Sequence, residues 1–139
     1  MSTRCLSRSE RDPADRVRTV LDTVNGQYWA TIQLPAGEQR FRAIAEGYFV
    51  AADAAEEIGD RNWARAIRGY ARRFLILDWM RRREPDHGVL VADVVAIDDD
   101  PRPEVEITRF IVYPPRTPSH PFLVAVDRRG RPRLLKRTR

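Results

Sequence analysis

Four arginines, Arg61, Arg65, Arg68 and Arg72, recur at spacings of four, three and four. On an α-helix that spacing places all four on one face. A guanidinium binds phosphate or carboxylate through paired hydrogen bonds, so such a row suits a polyanion. A second basic block, Arg128, Arg129, Arg131, Arg133, Lys136, Arg137 and Arg139, crowds the C-terminal end. Together the two blocks nominate an acidic partner, with DNA or RNA first, held by electrostatics and weakened by salt. Each block also has a plain reading, as a solvated helix face and as a solubilising terminus. No helix-turn-helix pattern or RNA-binding aromatic motif accompanies them.

Other chemistry is sparse. Asp93 interrupts an apolar run, and a buried carboxylate there must find a donor. A salt bridge to an arginine of residues 61–83 is the expected solution, and an acid or base in a pocket is the functional alternative. His87 and Tyr113 are the polar side chains that would complete such a pocket. His87 and His120 are the only histidines, and both lie in proline-flanked connections. Asp98, Asp99 and Asp100 form the densest carboxylate cluster, but the run lacks the spaced oxygen ligands of a calcium loop, so an acidic tip is expected and no metal or cofactor. Serine-nucleophile, phosphate-loop and cysteine–histidine metal motifs are absent.

These residues need elements to hold them. Asp12 followed by Pro13 begins a helix, with Val17, Val20, Leu21 and Val24 as its stripe and Asn25-Gly26 as its end. Tyr28 to Leu34 alternates as a short strand closed by Pro35, with a helical continuation as the alternative. Residues 37–58 read as a helix with Phe41, Ile44, Tyr48, Ala51, Ala55 and Ile58 inward and Glu46, Asp53 and Glu57 outward. Gly59 and Asp60 make a tight connection to a second helix, 61–83, whose apolar stripe is Trp63, Ile67, Tyr70, Phe74 and Leu77. The two form an antiparallel hairpin. It resembles a tetratricopeptide unit through Gly59-Asp60, Ala64 and Ala71 over about 30 residues. Ala55 and Arg68 stand where that family places aromatics, and no second copy occurs, so no function follows from the resemblance.

Ile76 and Trp79 fall on the arginine side of the second helix. They are either buried against later strands or exposed as a patch for a protein partner or a second copy. Residues 89–97 are apolar on both faces and read as a central strand. Residues 98–103 read as a turn or loop and 104–113 as a strand, with Phe110 and Val112 hinting at a bulge or a covered face. A proline-rich link precedes 122–126 and 132–135, which flank Asp127 to Gly130 as a hairpin. The expected fold is α+β: N-terminal helices, including the hairpin of about 37–58 and 61–83, packed on an antiparallel meander over about 89–136.

Composition is compatible with one domain over 12–139, preceded by a disordered basic tail, 1–11. The chain of 139 residues is 42% hydrophobic and 32% charged, with a net charge of +5. Charge alternates along it. Residues 61–83 carry eight basic groups and one acidic, 84–108 one and eight, and 109–139 nine and one. The opposed blocks either cancel in the fold or leave two basic blocks on one surface. A single cysteine, Cys5, precludes an internal disulfide and suits a reducing compartment. The N-terminal segment has no apolar run, and no stretch reaches the ~20 apolar residues of a membrane span. The expected location is therefore cytoplasmic.

Overall fold

The computed structural model describes residues 12–83, 90–99, 107–115, 119–127 and 130–137. Three helices lead: α1 Pro13–Thr31, α2 Phe41–Glu57 and α3 Arg61–Arg83. Four strands follow, β1 Val94–Asp99, β2 Thr108–Val112, β3 Phe122–Val126 and β4 Pro132–Arg137, in one antiparallel sheet of order β1-β2-β3-β4. The fold is α+β, with the sheet packed on α3.

The start of α1 follows its sequence signal. The Asp12 carboxylate accepts from the Ala14 amide at 3.0 Å, and Pro13 occupies the first turn. Its end does not. The strand expected over Tyr28 to Leu34 is absent; the helix runs through Asn25-Gly26 to Thr31. An exposed glycine inside a helix costs only about 1 kcal/mol. Against that, continuation carries Tyr28 onto Phe74, ring to ring at 5.4 Å. The Thr31 hydroxyl then accepts from the Arg40 amide at 3.0 Å, tying the end of α1 to the start of α2. Residues Ala36–Glu38 form a separate 3-10 turn, so α2 begins at Phe41 rather than at 37.

The hairpin of α2 and α3 is built as its sequence implies. Gly59 adopts φ 85°, and the Asp60 amide donates to the Ala55 carbonyl at 3.0 Å. The Asp60 carboxylate caps α3 by accepting from the Trp63 amide at 3.0 Å. Buried alanines, Ala51, Ala52 and Ala55 on α2 and Ala64 and Ala71 on α3, let the helices approach closely. Phe74 centres an aromatic cluster with Tyr28, Phe41, Tyr48 and Tyr70.

The meander buries one face. Val94, Thr108, Phe110, Val112, Phe122, Val124 and Val126 are turned inward and shielded from water. Phe110 and Val112 therefore continue the inward alternation of β2; the irregularity lies opposite, where β1 shifts register between Ala96 and Asp98. The expectation of a central strand over 89–97 is corrected. Its first described residues form a 3-10 turn, Val91–Asp93, and β1 is an edge strand whose Val95 and Ile97 are 43% and 51% exposed. Apolar residues on both faces here mark an apolar outer surface, not double burial. Asp98 and Asp99 belong to β1 rather than to a loop, and Asp100 lies outside the described residues. The β3–β4 turn holds as expected. Gly130 has φ 78°, its amide donates to the Asp127 carbonyl at 2.9 Å, and the Arg131 amide donates to the Asp127 carboxylate at 3.1 Å.

Among the described residues no helix is long and apolar enough to cross a membrane.

Candidate anion-binding cleft

Helix α3 has two covered faces. Ala64, Ile67, Ala71 and Phe74 meet α1 and α2, and the opposite side meets the sheet. That opposite side is the arginine stripe itself. Residues 61, 65, 68, 72, 75 and 79 continue the same four-three spacing, and the sheet covers its C-terminal half. Leu75 is buried, and a side chain placed on Gly130 would come within 2.8 Å of it, so the β3–β4 turn rests directly on this face.

Arg72, expected on the solvent face, is 1% exposed. Its Nη1 donates to the Thr108 hydroxyl at 3.1 Å across the helix–sheet interface. A guanidinium so placed is structural and is not a surface contact for a polyanion. Arg61 is exposed; Arg65 and Arg68 are half-buried and each makes a contact within the fold. Ile76 is fully buried and Trp79 is half-buried against the core, the alternative in which this end of α3 packs against the later strands. The sheet and the Val91–Asp93 turn occupy the space.

Asp93 is corrected as well. It makes no ion pair with α3 among the described residues. Its carboxylate accepts from the Leu90 amide at 2.8 Å, capping the 3-10 turn, and its carbonyl accepts from the Tyr113 amide at 2.9 Å. Tyr113 and His120 are exposed, and His87 lies outside the described residues. Neither Asp93 nor Tyr113 lines the cleft between α3 and the sheet. No group of three metal-ligating side chains occurs among the described residues.

Of the second basic block, only the side chains of Arg131 and Arg133 are among the described residues. Arg133 pairs in register with Ala125, which pairs with Arg109, so it belongs to the outward face of the sheet. Arg131 and Arg133 are exposed. Arg128, Arg129 and the side chains of Lys136 and Arg137 lie outside the described residues.

What the structure does assemble is a cleft between the N-terminal half of α3 and the inward side of β1 and β2. It measures about 390 Å³ and is lined by Asn62, Arg65, Ala66, Gly69, Tyr70, Arg73, Ala96 and Thr108. Two guanidiniums and one amide line the space, and no carboxylate does so among the described residues. Ala66 and Gly69 leave the helix wall low between Asn62 and Arg73. Tyr70 stands at the rim, 38% exposed, with its ring edge-on to Tyr48 and Phe74 at 5.1 Å each. The Arg73 guanidinium lies over that ring at 5.9 Å from its centre. Its Nε is buried and has no hydrogen-bond acceptor among the described residues. A buried, unsatisfied charged donor costs free energy and invites an external acceptor.

Asn62 and Arg73 were not singled out from the sequence, and Tyr70 was read only as part of the apolar stripe. The available signal was the spacing Asn62, Ala66, Gly69, Arg73, a stripe of donors and small residues one step around the helix from the arginine row.

Comparison of the chain with protein-family models, with curated proteins and with solved structures returned no match.

Proposed function

We propose that this protein is a non-enzymatic binding module for an acidic partner, with nucleic acid first, and that the partner enters the α3 cleft. The observation that carries the reading is the cleft's lining: Arg65 and Arg73 share one concave space that no carboxylate lines among the described residues, where Arg73 Nε has no acceptor. Exposed Arg61 lies one turn away from Arg65 and extends the positive field along the helix. The role once assigned to the whole arginine row passes to its N-terminal half, together with Arg73. Arg131 and Arg133 contribute to long-range attraction from a different surface. The setting proposed for this activity is the cytoplasm.

Fluorescence polarisation with a labelled oligonucleotide tests it. Binding is expected at ~50 mM salt, falling steeply as salt rises. No binding to DNA or RNA at that salt excludes the nucleic-acid reading.

A second reading, an oligomerising module, is favoured by the outward face of the sheet. Val95, Ile111 and Leu123 are cross-strand neighbours there, and Val95, Ile97, Tyr113 and Leu135 are each at least 40% exposed. Sedimentation velocity decides: a strict monomer across a wide concentration range removes this reading.

A further inference from the structure

We infer that the cleft takes a single unpaired nucleotide of a nucleic-acid strand, with its base against the Tyr70 ring and its phosphate against Arg73. This rests on the polyanion reading above and names which part of the polymer the site holds.

The argument begins with size. A space of about 390 Å³ falls at the small-ligand end of binding pockets and is far too small for a duplex. It is walled on one side by a helix and on the other by a sheet edge, so a base must leave its stack to enter. The second point is the pairing of an aromatic ring with a guanidinium. Tyr70 has a partly exposed ring at the rim, held edge-on by Tyr48 and Phe74 and therefore fixed in orientation before any ligand arrives. Stacking on such a ring needs no particular base, because every base has a π-face. Arg73 lies over the same ring, so a base on Tyr70 brings its own phosphate within the reach of Arg73.

The third point is polar satisfaction. The Arg73 guanidinium lines the cleft and gains a charged acceptor when a phosphate oxygen binds there. The Asn62 amide, in the same lining, can both donate and accept, and so can meet a base edge. A simple phosphate would satisfy Arg73 but leave Tyr70 and Asn62 unused. An acidic peptide would satisfy the arginines but has no planar group of matching size for the ring. The set as a whole matches a nucleotide.

The experiment compares three labelled probes on the full chain at one low salt concentration: a single strand of about 12 deoxyadenosines, an abasic strand of the same length, and a hairpin duplex. Wild type should bind the base-bearing single strand about tenfold more tightly than the abasic one, and more tightly than the duplex. Tyr70→Leu should bring the first two affinities together, and Tyr70→Phe should retain the difference. Equal affinity of wild type for base-bearing and abasic strands overturns the inference and leaves the electrostatic reading standing. The same holds if the duplex binds best. Failure of all three probes overturns both. Because the abasic comparison uses wild type, it decides the question even if Tyr70→Leu does not fold.

Discussion

The Arg72 guanidinium donates to the Thr108 hydroxyl at 3.1 Å, joining the middle of α3 to the first residue of β2. Arg72 is among the largest fully buried side chains, and it sits at the back of the cleft that Thr108 helps to line. A charge in this position holds the sheet at a set height over the helix. Removing it by Arg72→Ala leaves a cavity and breaks the hydrogen bond to Thr108, and should cost about 3 kcal/mol. Arg72→Met keeps most of the volume without the charge and should cost clearly less. Denaturant unfolding of the two variants measures the difference; equal losses would show that the buried hydrogen bond alone, not the filled volume, matters here.

Helices α1 and α2 approach closely at Gly47. A Cβ built there would lie 2.6 Å from Val24 Cγ2 and 3.2 Å from Cγ1. Valine in a helix is confined to one rotamer, so it cannot swing aside. Gly47→Ala, which ordinarily favours a helix, should here destabilise the fold by about 1–3 kcal/mol. A thermal melt at or above the wild-type midpoint would contradict the packing described.

Burial pushes the Tyr48 phenol up to about 12, with Tyr70 and Tyr28 adding to the shift. Its ordinary value is near 10. The folded state therefore holds this proton more tightly than the unfolded chain. The stability contributed is fully present below pH 10 and is lost as pH rises from about 10 to about 12. Unfolding free energy measured across that window should fall, and Tyr48→Phe should reduce the fall, because phenylalanine has no proton to lose. An identical pH profile in the variant would place the loss elsewhere.

Arg73→Gln should weaken oligonucleotide binding and lower the salt slope by about 0.7, the change for one phosphate contact on a single strand. Arg133→Gln should leave the cleft's contact intact and change affinity far less. Polarisation titrations over a range of salt concentrations give both slopes.

The helices and the meander were legible in the sequence because periodicity and turn residues agree there. Gly59-Asp60 and Asp127 to Gly130 act as written, with left-handed glycines and carboxylate caps. Misreadings arose where long-range packing overrode a local signal. Asn25-Gly26 spells a helix end, but the contact of Tyr28 with Phe74 holds the chain helical. Spacing groups Arg61, Arg65, Arg68 and Arg72 on a face without revealing what lies over that face. A sheet formed 36 residues later covers Arg72 and spares Arg61. The same limit applies to Ile76, whose burial depends on strands remote in sequence. The cleft was hidden for that reason too: its helix wall is written in one segment, but its other wall, Ala96 and Thr108, exists only after the sheet docks.

The location of binding is the claim on which the account turns, and amide chemical-shift mapping tests it most directly. On adding a single-stranded oligonucleotide to the labelled protein, the largest changes should fall on Asn62 to Arg73 of α3 and on Ala96 and Thr108. Changes confined to the outward sheet face, at Val95, Ile111 and Leu123, or to Arg131 and Arg133, would contradict it.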